Sequence, residues 1–227
     1  MIAVITYDAP HRKTQDVIVR LKLEGFRDIH MVVIPWIERK SFVPLYSHRP
    51  SRAIEVPIEF LCARMSLEFT RVEIPALNDF FSKNDFAHIL IGGAGIFPAE
   101  LAKNHKIINA HPGYLPYMKG LDALKWAIYQ NQPIGATTHY ISPETDEGEL
   151  IDKRLIPVKQ MDTFHSLAYR VYETEIEMLV NAISLIDEKR ASLESLHDDN
   201  YIPNRRMPND LEPVMMERFE LLRLAAQ

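Results

Sequence analysis

The chain has 227 residues, of which 47% are hydrophobic and 25% charged, with a formal net charge of −5. That length carries one sizeable core with at most a small appendage, and the composition is that of an ordinary globular protein. No apolar run reaches the roughly 18 residues of a membrane span, and the acidic balance argues against a broad nucleic-acid surface.

The opening Ile2-Ala3-Val4-Ile5-Thr6 lacks a basic n-region and a cleavage site and reads as a buried parallel strand, not a signal peptide. Tyr7 to Gln15 turns into a helix whose apolar positions are Val17, Val19, Leu21 and Leu23, with Gly25 as its stop. Ile29 to Ile34 is a second strand, which makes the start a right-handed βαβ unit. Pro35, Pro44, Pro50 and Pro57 break residues 35–58 into a long irregular excursion. A helix over Ile58–Met65 holds the single Cys62, read as a core thiol in a reducing cytoplasm. A strand near Glu68–Val72 and a helix near Ala76–Phe81 follow.

Phe86 to Ile91 is another buried strand running into Gly92-Gly93-Ala94-Gly95-Ile96-Phe97. Glycines at the carboxyl end of a strand let a ligand approach the backbone. A short helix at Ala99–Lys103 precedes a strand at Lys106–Ala110, and Leu121–Gln130 is helical. Ile134–Ile141 and Leu150–Val158 pair as a hairpin around Asp146, so the sheet is mixed. Asp162 N-caps a long amphipathic helix reaching Ile186, on which Phe164, Leu167, Val171, Ile176, Leu179 and Ile183 keep three-to-four spacing. The expected division is a catalytic domain over 1–190 and a helical tail over 191–227 whose last helix spans Leu211–Leu224. The fold class is α/β, a Rossmann-like, mostly parallel twisted sheet with helices on both faces and a C-terminal antiparallel hairpin.

The chemistry concentrates in Asn109-Ala110-His111-Pro112, Leu115-Pro116 and Lys119-Gly120, followed by Asp146-Glu147-Gly148. These supply an amide donor, an imidazole and a carboxylate. His139 in the intervening Thr137-Thr138-His139-Tyr140 strand reads as core packing, and no His, Cys or acidic cluster has metal-ligand spacing. With this spacing the chain resembles the 10-formyltetrahydrofolate-dependent formyltransferases, closely over residues 86–187 and in outline over 1–85. The resemblance implies formyl transfer from N10-formyltetrahydrofolate to a primary amine. Asn109 and a protonated His111 would then stabilise the oxyanion, and Asp146 would orient the imidazole and relay a proton through water. It also implies a folate site bordered by Gly93, Gly95, Ile96, Phe97, Ile141 and Thr145, and a homodimer. No metal is needed.

The acceptor is narrowed by differences within the resemblance. In place of the Gly-rich phosphate loop of glycinamide ribonucleotide transformylases stands Tyr7-Asp8-Ala9-Pro10-His11-Arg12-Lys13. The sizeable C-terminal domain of methionyl-tRNA formyltransferases and the N-terminal regulatory domain of formyltetrahydrofolate deformylases are not expected here. The resemblance is therefore to enzymes acting on nucleotide-linked amino sugars, with GDP-perosamine or a dTDP-4-amino sugar for lipopolysaccharide O-antigen as the expected acceptor. Arg12, Lys13, Tyr46, Arg49, Arg52 and Lys119 are the expected substrate contacts, guanidinium to pyrophosphate and aromatic to base. A divergent purine-pathway transformylase and an inactive ligand-binding relative remain as alternatives.

Overall fold

The computed structural model describes residues 1–37, 42–50 and 53–226. Seven strands form one sheet: β1 (Ile2–Tyr7), β2 (Ile29–Ile34), β3 (Glu68–Arg71), β4 (His88–Ile91), β5 (Ile107–His111), β6 (Gly135–Tyr140) and β7 (Glu149–Leu155). Their order is β3-β2-β1-β4-β5-β6-β7. The first five are parallel, and β6 and β7 are antiparallel to their neighbours. All six residues of β1 are buried, as expected of a central strand covered on both faces. The chain leaves β1 toward β2 and later crosses back to place β4 on its other side. The crevice at such a reversal, beyond the carboxyl ends of the strands, is where open α/β sheets collect ligands.

The helices are α1 (Arg12–Leu23), α2 (Ile58–Met65), α3 (Leu77–Lys83), α4 (Ala99–Asn104), α5 (Ala123–Tyr129), α6 (Phe164–Asp187) and α7 (Glu212–Ala225). Val17, Ile18 and Leu21 of α1 and Tyr172, Ile176, Leu179 and Ile183 of α6 share one core with β1, β2 and β5. Leu77 and Phe81 of α3 and Leu101 of α4 cover the other face. Each fully buried aliphatic side chain contributes about 1.5–3 kcal/mol, so Leu179→Ala would cost roughly 2–5 kcal/mol.

Two helix details refine the sequence reading. The inward face of α1 is Val17, Ile18 and Leu21, while Val19 and Leu23 are exposed. Alternate residues cannot share one helix face, whereas i, i+1 and i+4 can. The N-cap of α6 is Thr163, whose hydroxyl accepts from Ser166 N–H in a reciprocal capping box. Asp162, one residue earlier, instead accepts from Lys159 N–H at 2.7 Å and pairs with Arg170.

Residues beyond 190 pack against the rest of the fold. Met207, Met215 and Phe219 are buried in one cluster with α5 and the start of α6. Buried Lys125 on α5 donates to buried Glu212 on α7 at 2.7 Å, and Glu212 also accepts from Tyr46 N–H. Between α6 and α7 the tail bonds to the edge of the sheet, with Leu150 N–H donating to Glu194 O and Leu196 N–H to Gly148 O, both at 2.8 Å.

Candidate active site

β5 ends in Asn109-Ala110-His111, and β6 runs antiparallel beside it, with Asn109 opposite His139 and His111 opposite Thr137. Thr137 fastens the loop beyond β5, its hydroxyl donating to Gly113 O at 2.8 Å and accepting from Leu115 N–H at 3.0 Å. The His111 ring, 5% exposed, lies against this loop. A Cβ at Gly113 would sit 2.6 Å from His111 Nε2 and 2.5 Å from Met118 O, so only glycine lets the loop come this close.

The three motif residues converge. His111 Nδ1 lies 3.3 Å from Asp146 Oδ1. Asp146 Oδ2 accepts from Gly120 N–H at 2.7 Å. His111 Nε2 lies 2.7 Å from the Met118 carbonyl and donates to it. Both ring nitrogens thus face acceptors, and an imidazolium formed during a reaction is held at both ends.

Asn109 is oriented by a residue that the sequence pattern assigned to core packing. His139 is 1% exposed, as a core residue is, but both of its ring nitrogens are used. Nδ1 donates to Glu147 O at 2.7 Å, which leaves Nε2 as an acceptor 3.4 Å from the Asn109 amide nitrogen. Burial holds the His139 ring well below the usual imidazole range, hence neutral, although Asp146 pulls the other way. One N–H of Asn109 is engaged by His139, and the second remains to serve a ligand. Strand alternation puts a His at this register on the Asn109 face, a signal the sequence carried through the β5–β6 pairing.

The expected folate border divides. Gly93 is buried at the end of β4, its N–H donating to Ile5 O, and a Cβ there would overlap the His11 ring at 2.4 Å. Ile96 is 89% exposed, Gly95 is exposed and Phe97 is half-buried against the α3–α4 face. Ile141 N–H donates to Ile107 O at 2.9 Å, so this loop starts beside β5, and Thr145 is exposed next to Asp146.

The expected substrate contacts divide more sharply. Arg12, at the start of α1, pairs with Asp16 at 2.7 Å and keeps 41% of its side chain exposed. Arg49, 47% exposed, reaches 4.0 Å from Glu175 Oε2. Tyr46 packs on Phe164 at 6.3 Å between ring centroids and lines a surface cavity of about 440 Å³ between the start of α6 and α7. Arg52 lies outside the described residues. Lys119 and Lys13 both pair with acidic side chains of the fold. Lys119 is fully buried, donating to Glu147 at 2.6 Å and Asp198 O at 3.1 Å, so its charge is spent inside the fold. Burial alone would raise Glu147, but Lys119 and His197 hold it below the usual carboxylate range. Lys13 turns inward to Glu175 and the Ala110 carbonyl. Glu175, on the buried face of α6, was hidden from sequence reading because helical spacing marks that position only as inward.

Among the described residues, no group of three or more His, Cys, Asp or Glu is arranged to hold a metal ion, and no helix is long and apolar enough to cross a membrane.

Residues 89–183 match the family model described as formyl transferase. A chicken trifunctional purine biosynthetic protein adenosine-3 is 37% identical over 82 residues, 36% of this chain and 8% of that protein. A dTDP-4-amino-4,6-dideoxyglucose formyltransferase from Mycobacterium bovis is 30% identical over 90 residues, 40% of this chain and 38% of that protein. Both matches cover well under two thirds of the relative. In fold, the chain is similar to a 4-N formyltransferase from Francisella tularensis, with a TM-score of 0.64 at 18% identity over 96% of this chain and 86% of that one.

Proposed function

We propose that this chain is a formyl transferase that moves a formyl group from N10-formyltetrahydrofolate to the primary amine of a nucleotide-linked amino-deoxysugar. The observation that carries the reading is the convergence of Asn109, His111 and Asp146 at the end of β5, with His111 Nδ1 3.3 Å from Asp146 Oδ1. The amine nitrogen attacks the formyl carbon, and negative charge builds on the formyl oxygen. The second N–H of Asn109 donates to that oxygen, and the developing positive charge on His111 stabilises it electrostatically. The proton the amine loses passes through water to the Asp146–His111 pair and supplies that positive charge; the oxyanion collapses, the bond between the formyl carbon and N10 breaks, and N10 takes up that proton, which returns the pair to its starting state. The folate lies along Gly93 to Phe97 and the Ile141–Thr145 loop, where exposed Ile96 and half-buried Phe97 offer apolar surface to a flat ring.

The amino-sugar acceptor is supported by the mycobacterial relative, which is named for a dTDP-4-amino sugar. Arg12 and Arg49 are the exposed cations at the crevice for a pyrophosphate. GDP-perosamine is the preferred acceptor, with the product feeding O-antigen assembly in the cytoplasm, and the enzyme works as a homodimer. A second reading, glycinamide ribonucleotide formylation, is favoured by the chicken purine relative.

The test supplies purified protein with N10-formyltetrahydrofolate and, separately, GDP-perosamine, a dTDP-4-amino-4,6-dideoxy sugar and glycinamide ribonucleotide. Mass spectrometry reads the gain of one formyl group. Formylation of an amino sugar supports the proposal, formylation of glycinamide ribonucleotide alone replaces it with the second reading, and no product with any acceptor defeats both.

A further inference from the structure

The β4–β5 register ends at Leu90–Ile108. Beyond it β5 continues through Asn109, Ala110 and His111 without β4 alongside. The carbonyl of Ala110, the peptide that joins the two candidate catalytic residues, is met there by a side chain from another element. Lys13 Nζ donates to Ala110 O at 3.1 Å and to Glu175 Oε1 at 2.6 Å. Glu175 is 1% exposed, on the face of α6 packed against the sheet, and its second oxygen has no hydrogen-bond partner among the described residues. Arg49 Nη2 lies 4.0 Å from that oxygen.

A buried ion pair is a poor source of stability, because desolvating both charges offsets most of their attraction. Lys13 and Glu175 would hold α1 to α6 as well, or better, as two apolar side chains. What apolar side chains cannot do is bond the Ala110 carbonyl. A one-residue segment between an amide donor and an imidazole sets the direction of both, and small errors in such placement are expensive in rate.

We propose that Lys13 and Glu175 are positioning residues. Lys13, oriented by Glu175, pins the Ala110 peptide and so fixes Asn109 and His111 relative to one another. This rests on the formyl-transfer reading and replaces the role of Lys13 as an anion contact for the substrate.

The deciding variant is the double substitution Lys13→Met with Glu175→Leu, which removes both buried charges together. Glu175→Gln, close to isosteric, carries the test if the double variant does not fold. Labelling with 1-¹³C-alanine and ¹⁵N-histidine leaves two Ala–His peptides visible, Ala87–His88 and Ala110–His111. In either variant the Ala110 carbonyl resonance should move and that of Ala87 should stay. In the double variant kcat should fall about 10- to 100-fold, the scale of a lost charge-assisted hydrogen bond, with KM for both substrates within about threefold. Glu175→Gln should lose less.

An unmoved Ala110 resonance overturns the pin. A moved resonance with kcat intact makes the pair structural only. A raised KM for the acceptor at constant kcat returns Lys13 to substrate binding. If wild-type protein formylates none of the acceptors, the formyl-transfer reading fails, and the Ala110 resonance still decides whether the pin exists.

Discussion

Asp146→Asn tests the centre of the proposed chemistry with little structural disturbance. The Asn carbonyl oxygen can still accept from Gly120 N–H, which Asp146 now holds at 2.7 Å. The amide nitrogen then faces His111 Nδ1, where a carboxylate oxygen sits at 3.3 Å. What is lost is the attraction between the carboxylate and positive charge on the ring. At 3.3 Å and an effective dielectric near 20, that attraction is about 5 kcal/mol. If most of it appears only as the ring becomes charged, kcat falls by about three orders of magnitude, within the range of general acid–base catalysis. The assay is initial-rate formylation of the accepted substrate, with urea unfolding of the same samples as the control for the fold. A variant that unfolds like wild type and turns over within tenfold of it would refute the role given to Asp146.

Two further outcomes follow from the same geometry. His139→Leu removes the acceptor that orients the Asn109 amide and leaves Glu147 O without its donor. It should lower kcat at least about tenfold and destabilise by about 1–3 kcal/mol, and unchanged kcat in steady-state kinetics would show that Asn109 needs no such support. The buried histidines also set an acid limit on stability. Burial first, then Lys13 and Arg49, lowers His11 to about 4, and burial, then Arg49 and Lys125, lowers His48 to about 3. Both stay neutral in the fold while the unfolded chain takes up protons below about pH 6.5, so their contribution is full above that pH and is lost as pH falls toward 4. At pH 5 the two together should cost about 2–4 kcal/mol relative to pH 7.5, read from urea midpoints, and equal midpoints at the two values would contradict it.

The strands and the motif were legible because each depends on local sequence. Runs such as Ile2–Thr6 and Ile29–Ile34 are apolar throughout because a central parallel strand is buried on both faces. Asn109, His111 and Asp146 stood out through spacing, and in the structure His111 Nδ1 lies 3.3 Å from Asp146 Oδ1. The apolar positions of α1, Val17, Val19, Leu21 and Leu23, alternate as in a strand and so do not mark its inward face, which is Val17, Ile18 and Leu21. The direction of a long cationic side chain was not legible at all. Lys13 and Lys119 look like surface charges until Glu175 and Glu147, 162 and 28 residues away, are seen to hold them. Such pairing is a property of tertiary contact, which no window along the chain contains.

The tail gives the loop after β5 a second anchor. Asn204 N–H donates to Lys119 O, and Leu121 N–H donates back to Asn204 O. Gly120, between them, holds Asp146 Oδ2 through its own N–H. Asp122, next in line, accepts from Met207 N–H and lies 3.7 Å from His48 Nε2. One tail segment therefore sets the backbone that orients the candidate carboxylate and meets the loop that presents Arg49. Through Glu212 the tail also bonds Tyr46 N–H in that same loop. Residues 42–50 of that loop are in neither a helix nor a strand, so these side-chain anchors, not a hydrogen-bond ladder, hold them. Under the proposed function, acceptor choice is thus a property of the tail as much as of the loop, since Asn204, Met207 and Glu212 anchor both the loop after β5 and the segment that presents Arg49.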